Sequence, residues 1–100
     1  MKVNVQNPNF IVDEKLVGFI NKRLSKLEVF YDRIIYADVF LKIQKTSNKE
    51  NKIIEILLSI PGDDLIAKKE AKTFEEGVDE CINALEKQLK RRKQKERTFS

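Results

Sequence analysis

Histidine is absent from this sequence, and cysteine occurs once, as Cys81. The first absence removes the side chain most used as a general base or metal ligand near neutral pH. The second excludes an intrachain disulfide and makes a reducing cytoplasm the expected setting. No glycine-rich phosphate loop is present, and no His, Cys, Asp or Glu set has metal-ligand spacing. The acidic pairs Asp63-Asp64 and Glu75-Glu76 fall in a turn and at a helix start, where turn chemistry and dipole complementation account for them. The chain is therefore expected to be no enzyme and to take no cofactor, metal or small-molecule substrate. No stretch approaches the ~20 apolar residues of a membrane span. Behind Met1-Lys2-Val3-Asn4 there is no apolar run, so no signal peptide is expected.

One hundred residues suit one domain, 1–100, able to bury roughly 60% of its unfolded surface. The strongest pattern is a helix at about 73–95. Thr73 and Glu76 have capping-box spacing, and Phe74, Val78, Ile82, Leu85 and Leu89 form one apolar face. Cys81, at the edge of that stripe, reads as a small buried hydrophobe. From residue 87 to 97 there are seven bases (Lys87, Lys90, Arg91, Arg92, Lys93, Lys95 and Arg97) against one acid, Glu96. Residues 87–100 therefore carry +6 of a net +4, which leaves −2 for residues 1–86. At 100° per residue, Lys87, Arg91 and Lys95 make a row roughly 130° from the centre of the apolar stripe. Residues 96–100 are expected to fray.

The rest of the chain alternates in shorter pieces. Residues 2–6 read as a strand ended by Asn7-Pro8-Asn9. Asp13 caps a helix at about 13–29, with Leu16, Ile20, Leu24 and Leu27 on one face. Lys15, Lys22 and Lys26 share a flank of it, and Arg23 borders the stripe. Gly18, inside this helix, costs about 0.5–1 kcal/mol relative to Ala, and a closely approaching neighbour would explain it. Residues 34–45 alternate with Ile35, Ala37, Val39, Leu41 and Ile43 on one side. A polar turn at 48–51 leads to a strand at 52–60, and Pro61-Gly62-Asp63-Asp64 turns into another at about 64–72. The resulting order, β-α-β-β-β-α, is an α+β two-layer sandwich with both helices on one face of a four-stranded sheet. Two adjacent helices with cationic flanks would form a basic groove.

Cations near a helix C-terminus satisfy its dipole, but seven in eleven residues exceed that need. A polyanion is the expected partner, and RNA backbone suits a stripe of Lys and Arg. The outward sheet face is apolar at Tyr36, Phe40, Ile53, Leu57 and Ile66. It offers either a base-stacking platform or a protein contact, and branched aliphatics favour protein contact. Partial exposure near strand ends is the plainer account of the same residues.

Residues 26–34, Lys-Leu-Glu-Val-Phe-Tyr-Asp-Arg-Ile, resemble the K-L-E-x-aromatic-aromatic-D-R-I signature of the ribosome hibernation promoting factor family. That family includes the ribosome-associated inhibitor and the sigma-54 modulation proteins. Residues 74–79 and 84–95 are similar to its second block, M-Y-x-A-I-D … K-L-x-R-Q-L-x-K-x-K-x-K. The resemblance spans essentially the whole chain. It implies a fold like that of double-stranded RNA-binding domains. The implied partners are the 30S subunit and 70S ribosome, contacted through 16S rRNA in the mRNA/tRNA channel. Filling that channel would block translation under stress or in stationary phase. By motif match the rRNA-binding positions are Arg23, Lys26, Lys87, Arg91, Lys93 and Lys95, with Lys22, Lys90 and Arg92 as neighbouring cations. The sequence departs from the pattern at Thr73-Phe74, at Glu75 and at Ala84, where the family has a lysine. The chain resembles a short form, without the domain by which long forms pair ribosomes, and is expected to be a monomer or weak dimer when free. The competing expectation is a protein-interaction or self-associating regulator using the apolar outer sheet face. A third is a basic tail, 87–99, lying on a membrane.

Overall fold

Alternation of period two builds the sheet, and one buried stripe on each helix closes it. The computed structural model describes residues 1–46 and 50–98. Six elements follow in order: β1 (Lys2–Gln6), α1 (Glu14–Phe30), β2 (Tyr36–Lys45), β3 (Glu50–Ile60), β4 (Asp63–Ala71) and α2 (Phe74–Thr98). The strands lie in the order β1-β2-β3-β4. β1 runs parallel to β2, and the other two pairings are antiparallel. A parallel neighbour needs a crossover, which α1 provides.

The register stacks apolar residues into rungs on one face. Val5 lies opposite Val39, Val39 opposite Ile56, and Ile56 opposite Ala67. The next rung is Val3, Ala37, Leu58 and Leu65. Both helices cover this face. Leu16, Ile20, Leu24 and Leu27 of α1 and Phe74, Val78, Cys81, Ile82, Leu85 and Leu89 of α2 join one buried cluster with it. The expected two-layer α+β sandwich is the observed architecture. At about 1.5 Å per residue α2 is roughly 37 Å long, and it helps draw the molecule out to 53 × 25 × 19 Å.

Helix starts and turns follow the expected chemistry. Asp13 Oδ1 accepts from the Leu16 N–H at 2.8 Å, and Thr73 Oγ1 from the Glu76 N–H at 3.1 Å. The Pro61-Gly62 turn places Gly62 at φ +79°, a conformation that glycine adopts without a Cβ penalty.

Four expectations change. Ile35 is 55% exposed, and Ile34, at 5%, takes its place in the core. The turn at 32–33 puts the residues ahead of Tyr36 out of phase with the strand. Gly18 has open space where a Cβ would sit, so no close neighbour explains it. The close approach occurs at Gly77, where a Cβ would run into Ile54 Cδ1 and lie 2.9 Å from its Cγ1. Finally, α2 continues past Lys95 to Thr98, and Glu50 and Asn51 already belong to β3. Residues 48–49 of the expected polar turn, and residues 99–100 of the expected frayed tail, lie outside the described residues.

Phe10, from the β1–α1 connection, stacks on Phe74 with ring centroids 4.8 Å apart and closes one end of the core. Among the described residues no helix is long and apolar enough to cross a membrane.

Candidate nucleic-acid interface

The buried stripe of α2 fixes which way its cations face. With Val78, Leu85 and Leu89 fully buried, Lys87, Lys90, Arg91, Lys93 and Lys95 are all exposed on the solvent side and flanks. The nine cations singled out from the sequence then divide by what they touch.

Four are engaged within the fold. Arg92 donates to Asp63 Oδ2 at 3.0 Å and to the Pro61 carbonyl at 3.2 Å, fastening α2 to the β3–β4 turn. Its Nε also lies 3.8 Å from Glu96 Oε1. Lys93 donates to the Phe30 carbonyl at 3.0 Å, with its ammonium 4.7 Å from the Phe30 ring centroid. The last turn of α1 has no base of its own, so Lys93 supplies the cation that the helix dipole favours there. Arg23 donates to Asp79 Oδ1 at 2.7 Å and lies over the Phe19 ring at 4.6 Å, bridging α1 to α2. Lys90 makes a loose pair with Glu86 at 3.7 Å on its own helix.

Among the described residues, Lys22, Lys26, Lys87, Arg91 and Lys95 make no ion pair. These exposed cations lack a partner that would have to be given up before an anion could bind.

The helices pack side by side on one sheet face, but the row Lys87, Arg91 and Lys95 does not form a wall of the trough between them. The hollow between α1 and α2, about 310 Å³, holds Arg23 and Lys26 together with Asp79 and Glu86. The four formal charges there cancel, and Lys90 and Lys93 add positive charge at the next hollow along, beside Phe30. Lys87, Arg91 and Lys95 instead turn toward β4. Lys87 and Arg91 border a hollow with Lys69, and Arg91 and Lys95 border one with Asp63 and Leu65. The row is on the other flank because Asp79, Glu86, Lys90 and Lys93 occupy the helix positions facing α1.

Lys69 is the cation that the sequence reading missed. It has the inward parity of Leu65 and Ala67 on an edge strand, and it is exposed. A lysine at an inward position was the available signal.

The titrating groups with clear shifts are structural. Burial pushes the Cys81 thiol up to about 11, and its Sγ lies 3.5 Å from the Ile54 carbonyl and 3.6 Å from that of Ala67. Burial, then the hydrogen bond and charge of Glu96, raise Tyr31 above the usual phenol range. Among the described residues, no group of three or more His, Cys, Asp or Glu could hold a metal ion.

Residues 3–97 match the family described as Sigma 54 modulation protein / S30EA ribosomal protein. A ribosome hibernation promoting factor of Salmonella typhimurium is 30% identical over 95 residues, covering 95% of this chain and 96% of the relative. One of Pseudomonas putida is 28% identical over 99 residues, covering 99% and 93%. In structure, a ribosomal subunit interface protein of Coxiella burnetii superposes with a TM-score of 0.83 at 22% identity, over 93% of this chain and 98% of that one. The N-terminal domain of Thermus thermophilus Protein Y gives 0.80 at 22% identity, over 91% and 98%. At that identity the superpositions speak for the fold.

Proposed function

The chain belongs to the sigma 54 modulation protein / S30EA ribosomal protein family, and on that premise we propose that it is a ribosome hibernation factor. It acts as one ribosome-binding domain over residues 1–100, in the cytoplasm. It binds 16S rRNA of the small subunit in the channel used by mRNA and tRNA, and it stops translation by occupancy under stress or in stationary phase. No bond is made or broken.

The observation that carries this reading is the exposed set Lys87, Arg91 and Lys95, without an ion pair among the described residues, along one flank of a long helix. Successive members are about 6 Å apart along the helix axis. Such a row meets phosphates without reading bases, which suits a folded RNA surface. Lys22 and Lys26 on α1 are exposed and make no ion pair among the described residues, Lys26 at the hollow between the helices. Arg23, Arg92 and Lys93 hold the helices in place and contribute long-range field, with Lys90 intermediate. About six phosphate contacts would give a log–log salt slope of roughly −4 to −5.

The outer sheet face is the weaker reading. Charge interrupts its apolar residues: Phe40 lies opposite Glu55, Lys42 opposite Ile53, and Ile53 opposite Glu70, which leaves Leu57 opposite Ile66 as an apolar pair. A continuous apolar patch is what a stable protein contact would need.

Competition tests the location. Vacant 30S subunits should bind the protein, and subunits preloaded with mRNA and tRNA should exclude it. Equal binding to both would contradict the channel.

A further inference from the structure

We infer that RNA backbone follows the cleft between β4 and α2, and that Lys69 is a phosphate-gripping residue on its strand side. This rests on the ribosome-binding reading and adds to it a track and a residue.

The cleft is continuous. The hollow bordered by Lys69, Lys87 and Arg91, about 530 Å³, shares Gln88 and Arg91 with the next one, about 250 Å³, which ends at Lys95. Gln88 Nε2 donates to the Ile66 carbonyl at 3.1 Å, pinning the helix to the edge strand where the two hollows meet. Ala84 presents only a methyl group to the first hollow, which keeps the space between Lys69 and the helix cations open.

Charge favours this cleft over the inter-helix hollow. Lys69, Lys87, Arg91 and Lys95 are exposed and, among the described residues, make no ion pair. Of the two acids at its borders, Glu80 stands in the first hollow and Asp63 in the second. Asp63 is already neutralised by Arg92 at 3.0 Å. Lys69 enters from the strand while the other three come from the helix, so a phosphate chain between them is held from two sides. Lys87 to Lys95 spans about 12 Å of helix axis, room for about three phosphates of one strand.

The test is the salt dependence of binding to purified 30S subunits, with thermal unfolding run on every variant. Lys69→Ala should reduce the log–log slope by about 0.7–0.9, the loss of one phosphate contact. Lys68→Ala, next to it but on the outer sheet face, should leave the slope unchanged. Ala84→Lys placed in the Lys69→Ala background should restore the slope by returning a cation to the same hollow. Should Lys69→Ala unfold, Lys69→Gln is expected to show the same loss of slope. A wild-type slope for a folded Lys69 variant, alongside loss of binding on reversing Lys87, Arg91 and Lys95, overturns the Lys69 assignment and leaves ribosome binding standing. Equal losses for Lys68→Ala and Lys69→Ala overturn it too, as an effect of net charge. No change in any of these variants overturns both readings.

Discussion

The Tyr31 hydroxyl donates to Glu96 Oε1 at 2.8 Å, joining the end of α1 to the far end of α2 across 65 residues of sequence. Glu96 is the single acid in the cationic run, and it also takes Arg33 at 3.3 Å. This contact fixes the direction of the basic helix at the end where it projects furthest from its cap.

Tyr31→Phe should therefore lower the unfolding free energy by about 1–2 kcal/mol, the loss of a nearly buried hydrogen bond to a charged acceptor. The pH dependence has a defined sign. Tyr31 holds its proton more tightly folded than unfolded, because of burial first and Glu96 second. Its contribution is fully present below about pH 10, the unfolded phenol value, and is lost as pH rises through the higher folded value. Denaturant titrations from pH 8 upward should show a constant gap between wild type and variant that begins to narrow above about pH 10.

Two glycines in helices should respond in opposite directions. Gly18→Ala meets open space and should stabilise by about 0.5–1 kcal/mol. Gly77→Ala drives a methyl into Ile54 and should destabilise by about 1–3 kcal/mol. Equal melting shifts for the two would refute the packing described at the start of α2.

Neighbouring arginines should separate binding from stability. Arg92→Ala breaks the tie to Asp63 and Pro61 and should cost up to about 1 kcal/mol of stability, with a small change in ribosome affinity. Arg91 makes no ion pair among the described residues, so Arg91→Ala should weaken ribosome binding with the melting curve unchanged.

Cys81 is fully buried, with its thiol pushed up to about 11 by burial. Alkylation of the native protein at pH 8 should proceed only through unfolding and accelerate in denaturant. Rapid labelling in buffer alone would place the thiol outside the core.

The sequence made the sheet and both helices legible because period-two and period-3.6 patterns are local. Leu16, Ile20, Leu24 and Leu27 are all buried as their spacing implied, and so are Ile54, Ile56, Leu58 and Ile60. Features set by tertiary approach were not legible in the same way. Ile34 displaced Ile35 because a turn shifts phase, and Gly77 is tight because Ile54 reaches it. The cationic helix was plain, but its row faces β4 because of how the whole stripe docks, which no wheel of one helix can tell. Lys69 was overlooked because lysines on a strand usually read as solvated positions.

Co-sedimentation with 30S subunits of the variant carrying Lys87→Glu, Arg91→Glu and Lys95→Glu is the most direct check on the central claim. Among the described residues none of the three has an ion pair to lose, so the variant should melt like wild type and remain in the supernatant. A folded variant that still pelleted with the subunits would show that this row is not what holds the protein to the ribosome.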